Sequence, residues 1–101
     1  MPNIMLICGF GLSTSFIVTK MKAAFRVKGL TGEIIARPAA DMFDYINDID
    51  IIMVAPHVTY LLKDVEDLCK KYNKKCVVIP GDLYGKMDGE KIVDLALGEI
   101  Q

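Results

Sequence analysis

The sequence predicts an α/β protein, one doubly wound domain over residues 1–101, built on a parallel sheet with helices on both faces. Three observations predict it. The hydrophobic pattern switches repeatedly between short apolar runs and stripes of helical period. The short runs are too continuously apolar for hairpin strands and read as strands buried on both faces. Strands alternating with helices imply parallel pairing through right-handed crossovers.

Each element follows from its residues. Asn3 to Ile7 is a strand-length apolar run ending at Cys8-Gly9. From Ser13 to Lys28, Ile17, Met21, Ala24 and Phe25 recur at helical spacing, and Gly29 stops the helix. Glu33 to Arg37 is a second strand, and Pro38 opens a brief helix through about Ile46. Asp50 to Ala55 is a third strand. Beyond it Val58, Leu61, Leu62, Val65, Leu68, Cys69 and Tyr72 share one helical face. Lys63, Asp64, Glu66, Lys70 and Lys71 lie largely on the opposite, solvated face. Cys76 to Ile79 is a fourth strand and Pro80 to Met87 a loop. Asp88 caps a last helix carrying Ile92, Val93, Ala96 and Ile100.

Composition excludes several classes of function. A chain of 101 residues suffices for one core that folds without metals or disulfides. With 52% apolar and 25% charged residues and a net charge of −1, it is not a disordered chain. No basic stripe offsets phosphate repulsion, so no nucleic acid is expected as a partner. The apolar run from Ile49 is interrupted by Asp50 and falls short of the ~20 residues of a membrane span. Met1-Pro2-Asn3 is uncharged and only Ile4 to Ile7 precede Cys8. The start therefore reads as a strand, not a signal, and a cytoplasmic protein is expected. Cys8, Cys69 and Cys76 are odd in number and form no C-x-x-C pair, so thiols are expected. No metal and no cofactor are expected, and a monomer is, since no exposed apolar stripe obliges a dimer.

Sheets of this class bind ligands at the carboxyl ends of their strands, near the point where strand order reverses. If the first strand is central, the segment from Cys8 to Ser15 meets Pro56-His57 there, with the Pro80 to Met87 loop close by. The segment Cys8-Gly9-Phe10-Gly11-Leu12-Ser13-Thr14-Ser15 carries the chemistry. Gly9 and Gly11 permit a sharp turn with positive φ, so that successive amide N–H groups converge into an anion-binding nest. Ser13 or Thr14 caps the next helix, whose positive end adds to the attraction. That environment also favours a thiolate at Cys8, equipped to attack a phosphoryl group and hold it as phosphocysteine. A buried cysteine ending a strand is the plainer alternative.

The spacing separates carrier from phosphatase. Cysteine phosphatases of low molecular weight carry Cys-x5-Arg after a first strand, the arginine clamping phosphate bidentately. Here Thr14 holds the arginine's place, Ser15 follows, and the loop contains no arginine. Hydrolysis thereby loses much of its charge stabilisation, and a loop that accepts a phosphoryl group yet hydrolyses it poorly suits a carrier. Two other readings stay open: a phosphatase or arsenate reductase, and a non-catalytic nucleotide-binding module. The latter rests only on the Gly-x-Gly pair and on Glu33 as a ribose ligand.

The chain resembles the IIB components of the lactose/cellobiose type in the bacterial sugar phosphotransferase system, the cellobiose and chitobiose proteins most. The resemblance runs nearly end to end. It is carried by Ile7 to Ser15, by Lys20-Met21, by Ala55-Pro56-His57-Val58-Thr59-Tyr60-Leu61-Leu62 and by Ile79 to Gly89. It implies a four-stranded sheet of order 2-1-3-4, as in the low-molecular-weight tyrosine phosphatase fold. It implies that Cys8 takes a phosphoryl group from a histidine of a IIA protein. Cys8 then passes it to a sugar, a cellobiose-, chitobiose- or lactose-type disaccharide, held by the IIC permease. Three positions depart from the family: His57 stands where glutamine is usual, Thr59 where arginine is, and Phe10 is bulkier than the small residue common there.

The remaining candidates divide. His57, the sole histidine, is either a donor or cation near the phosphoryl group or a solvent-facing first-turn residue. Solvent-facing is the reading adopted. Asp82 and Tyr84 either contact a partner or shape the turn. Cys69 and Cys76 read as core packing.

Overall fold

The computed structural model describes residues 2–8 and 12–101, the Leu12 and Ser13 side chains excepted. Strands β1 (Ile4–Ile7), β2 (Ile34–Arg37), β3 (Ile51–Val54) and β4 (Lys75–Val78) pair in parallel in the order β2-β1-β3-β4. Helix α1 (Leu12–Lys28) connects β1 to β2. Helix α2 (Met42–Tyr45), entered through a 3-10 turn at Ala39–Asp41, leads to β3. A 3-10 segment (Pro56–Leu61) and α3 (Leu62–Lys71) lead to β4, followed by α4 (Gly81–Gly85) and α5 (Gly89–Ile100). The class is the one the sequence predicts, and the strand order is the one the family resemblance implies.

The alternation of side chains along a strand sorts the core into two layers. Ile4, Leu6, Ile51 and Met53 pack with Ile17, Met21 and Phe25 of α1 and Ile92, Val93 and Ala96 of α5. Met5, Ile7, Ile52 and Val54 point the other way, onto Met42, Ile46, Val65 and Leu68. Every residue of β1 and β3 is buried, which explains why their sequences do not alternate with polar residues. The β1–β3 register, Ile4 opposite Ile51 through Ile7 opposite Val54, ends both strands at one level. Cys8 and Ala55 therefore leave the sheet side by side, and the Ala55 N–H donates to the Ile7 carbonyl at 3.0 Å.

β1, β2 and β3 each begin one residue later than expected, where the residue before each serves as a tie, and β4 runs Lys75–Val78 where Cys76 to Ile79 was expected. The Asn3 N–H donates to Asp50 Oδ2 at 2.8 Å, and the Glu33 N–H donates to Asn3 Oδ1 at 2.9 Å. These bonds join the amino ends of three strands.

Two helices differ from expectation. The helix expected from Val58 to Tyr72 is broken: Val58 has φ −123° and ψ 32°, so the Pro56–Leu61 segment is separate from α3. Tyr72 lies at the end of α3, 39% exposed, and is not part of its buried face. The loop expected over Pro80 to Met87 contains α4. Its two flanking glycines read as breakers, but Leu83, Tyr84 and Met87 pack on the core and hold the short helix by tertiary contact.

Helices α1, α3 and α4 end in one motif. Gly29, Asn73 and Met87 take positive φ (69°, 58° and 51°). The next N–H in each case bonds five residues back, to Phe25, Cys69 and Leu83 respectively. Glycine at the first position needs no strain, whereas Met87 accepts it and also packs against the core. Asp88 then caps α5 as expected, its side chain accepting from the Lys91 N–H at 3.1 Å.

Candidate functional site

The site lies where β1 and β3 end. Cys8 follows β1, is half-buried, and packs against the layer made by α2, α3 and the odd-numbered face of β1. It is a free thiol, as are Cys69 and Cys76. Gly9, Phe10 and Gly11, with the anion-binding turn expected of them, lie outside the described residues. Helix α1 begins at Leu12, four residues beyond Cys8. Its first amides, from Leu12 to Ser15, have no acceptor within the helix and stand at the positive end of its dipole.

Ser13 and Thr14 fall inside the first turn of α1, so neither is its cap. Thr14 is 4% exposed, and its hydroxyl oxygen lies 3.0 Å from the Tyr84 hydroxyl, either one able to donate. Ser15 is exposed, and its carbonyl accepts the Thr19 hydroxyl at 3.0 Å. Tyr84, on α4, packs against both core layers, the one residue among those described to do so. It thus lies across the end of the sheet. His57 is exposed, as expected, but its ring forms a T-shaped pair with Tyr84, centroids 5.3 Å apart at 61°. Asp82 is exposed in the first turn of α4 and makes no side-chain hydrogen bond or ion pair among the described residues.

The structure thus brings Thr14, Tyr84 and His57 into one chain of contacts beside the segment that holds Cys8. Asp82 and Ser15 stay outside it. Neither arginine joins the group. Arg26 is exposed on α1, and Arg37, at the end of β2, lies over the Tyr45 ring at 5.4 Å from its centroid. The pairing of Thr14 with Tyr84, 70 residues apart, was not read from the sequence; no local pattern announces it.

The two remaining thiols belong to the core. Cys69 is buried on α3 and Cys76 half-buried on β4, both in the layer that includes Met5 and Ile7. The neighbouring Cys69 thiol pushes the Cys76 thiol up, and burial adds to the effect.

Comparison with known proteins decides the family. Residues 3–95 match the family model described as the PTS system, Lactose/Cellobiose specific IIB subunit. The chain belongs to that family. It is 32% identical over 97 residues to the oligo-beta-mannoside-specific EIIB component of Bacillus subtilis (strain 168), covering 96% of this chain and 94% of the relative. The solution structure of a cellobiose-specific IIB component from Borrelia burgdorferi superposes with a TM-score of 0.82 at 28% identity, over 98% of this chain and 91% of that one. The lactose-specific IIB domain from Streptococcus pneumoniae gives 0.87 at 13% identity, over 99% and 98%, which shows a shared fold. This IIB component is a phosphotransferase of sugar uptake that works with IIA and IIC partners. Among the described residues, no helix is long and apolar enough to cross a membrane.

Proposed function

We propose that residues 1–101 form one IIB-type phosphocarrier domain, cytoplasmic and monomeric, in which Cys8 is the nucleophile and Gly9 to Ser15 bind the phosphoryl group. The Cys8 sulfur attacks the phosphorus of a phosphohistidine on a IIA protein. The S–P bond forms, the P–N bond breaks, and the thiol proton goes to the departing histidine nitrogen. In the second transfer a sugar hydroxyl oxygen attacks the phosphorus. The S–P bond then breaks and the hydroxyl proton restores the thiol.

The observation that carries this reading is the place of Cys8: half-buried at the end of a central strand, four residues before the first free amides of α1. Those amides and the helix dipole favour phosphoryl oxygens. The lack of an arginine in the segment from Cys8 to Ser15 supports a carrier over a hydrolase, because the loop itself supplies no guanidinium to stabilise attack by water. Phe16 and Tyr60, 57% and 79% exposed on the elements that leave this edge, offer apolar surface to protein partners. The sugar is proposed to be a β-linked disaccharide, as the cellobiose and oligo-beta-mannoside names of the relatives indicate.

The test mixes the protein with a phosphorylated lactose/cellobiose-type IIA and, separately, with a small aryl phosphate. Phosphoryl transfer to this chain with little release of inorganic phosphate in either mixture is expected. Steady turnover of the aryl phosphate would replace the carrier by a phosphatase.

A further inference from the structure

Thr14 occupies a place where a helical threonine lacks its usual partner. A threonine within a helix commonly bonds the carbonyl four residues back, as Thr19 does with Ser15. Thr14 is the third residue of α1, so no helical carbonyl precedes it at that spacing. Its hydroxyl is nevertheless buried and paired, at 3.0 Å, with the Tyr84 hydroxyl. Tyr84 is itself fixed on three sides: by both core layers and by the His57 ring at 5.3 Å. A first helical turn would ordinarily fray. Here it is bound to a side chain wedged across the end of the sheet, in the turn whose free amides face the phosphoryl group under the reading above.

We infer that Tyr84 is a positioning residue for phosphoryl transfer, acting through Thr14 to hold the first turn of α1 in register with Cys8. This rests on the phosphocarrier reading and adds the device that aligns it. Alignment of donor amides with the reacting phosphorus is worth large factors in rate, and a displacement of about 1 Å costs roughly 100-fold. One lost tether among several constraints costs less.

The experiment measures single-turnover transfer from a phosphorylated IIA to wild type, Tyr84→Phe, Thr14→Val and the double variant, well below their melting temperatures. Both singles are expected to lose about tenfold in the rate at saturating donor, with the half-saturating donor concentration unchanged. The double is expected to be no slower than either single, because both remove one bond. Thr14→Ser keeps the hydroxyl and is expected to recover most of the rate that Thr14→Val loses. A purely structural role would leave the saturated rates unchanged at that temperature and overturn the inference, as would losses that multiply in the double. Amide hydrogen exchange on the same proteins decides the tether independently of phosphorylation. Phe16 to Thr19, the first amides bonded within α1, are expected to exchange faster in Tyr84→Phe while those of α5 do not. If wild type accepts no phosphoryl group, the carrier reading fails, and exchange alone then upholds or removes the tether.

Discussion

The hydroxyls of Thr14 and Tyr84 meet at 3.0 Å across 70 residues of sequence and join α1 to α4 at the carboxyl end of the sheet. Removing the Tyr84 hydroxyl leaves that of Thr14, 4% exposed, buried without a bond. Tyr84→Phe is therefore expected to lower unfolding stability by about 1–3 kcal/mol, and Thr14→Val in the same background to recover part of it, since apolar isosteres on both sides are nearly neutral. Denaturant unfolding of the four proteins checks this; additive losses would contradict it.

His57 and Tyr84 form a T-shaped ring pair, and His57 is otherwise exposed. An edge-to-face pair contributes about 0.5–1.5 kcal/mol, less at an exposed site. His57→Gln is expected to cost under about 1 kcal/mol of stability on that basis, and to leave phosphoryl acceptance in place. Loss of acceptance with an intact melting transition would give His57 a chemical role instead.

The glycines of α5 predict opposite signs. Gly89 is buried at the first turn, where an added Cβ would stand 2.5 Å from the Lys20 carbonyl carbon and 2.7 Å from the Met21 nitrogen. Gly89→Ala forces α1 and α5 apart and is expected to destabilise by roughly 1–3 kcal/mol. Gly98 meets nothing within 4 Å, so Gly98→Ala is expected to stabilise by about 0.5–1 kcal/mol through helix propensity. Denaturation midpoints of the two variants on opposite sides of wild type are the expected result.

Lys28 Nζ lies 2.8 Å from Asp94 Oδ1, and this hydrogen bond raises the lysine above its ordinary range, partly offset by desolvation. A raised folded-state value means the stabilisation is complete below the unfolded lysine value of about 10.4 and fades as pH rises through the folded one. The stability difference between wild type and Asp94→Asn is expected to be constant across neutral pH, to shrink above about pH 10.4, and to weaken in salt. A difference that grows with alkalinity would contradict this assignment.

Much of the fold was legible because its cues are local. The apolar runs of β1 and β3, the stripe of Ile17, Met21, Ala24 and Phe25, and the Asp88 cap each carry their structure in a few adjacent residues. The short helix α4 was not, because Gly81 and Gly85 argue against it and contacts of Leu83, Tyr84 and Met87 with distant residues help to hold it. The break at Val58 is likewise absent from the side-chain pattern, being a matter of backbone angles. At the site, Cys8 and its following segment stood out by residue type and spacing. Tyr84 was visible only as a residue in the right loop; its bond to Thr14 depends on how the two ends of the chain meet.

The most direct test of the central claim is intact mass after incubation with phosphoenolpyruvate, the general phosphotransferase proteins and a cellobiose- or lactose-type IIA, with Cys8→Ser in parallel. One phosphate adduct on wild type that is absent from Cys8→Ser, and retained by a Cys69→Ser, Cys76→Ser variant, is the predicted result. An adduct that survives Cys8→Ser, or no adduct with any such IIA, would contradict Cys8 as the phosphoryl carrier.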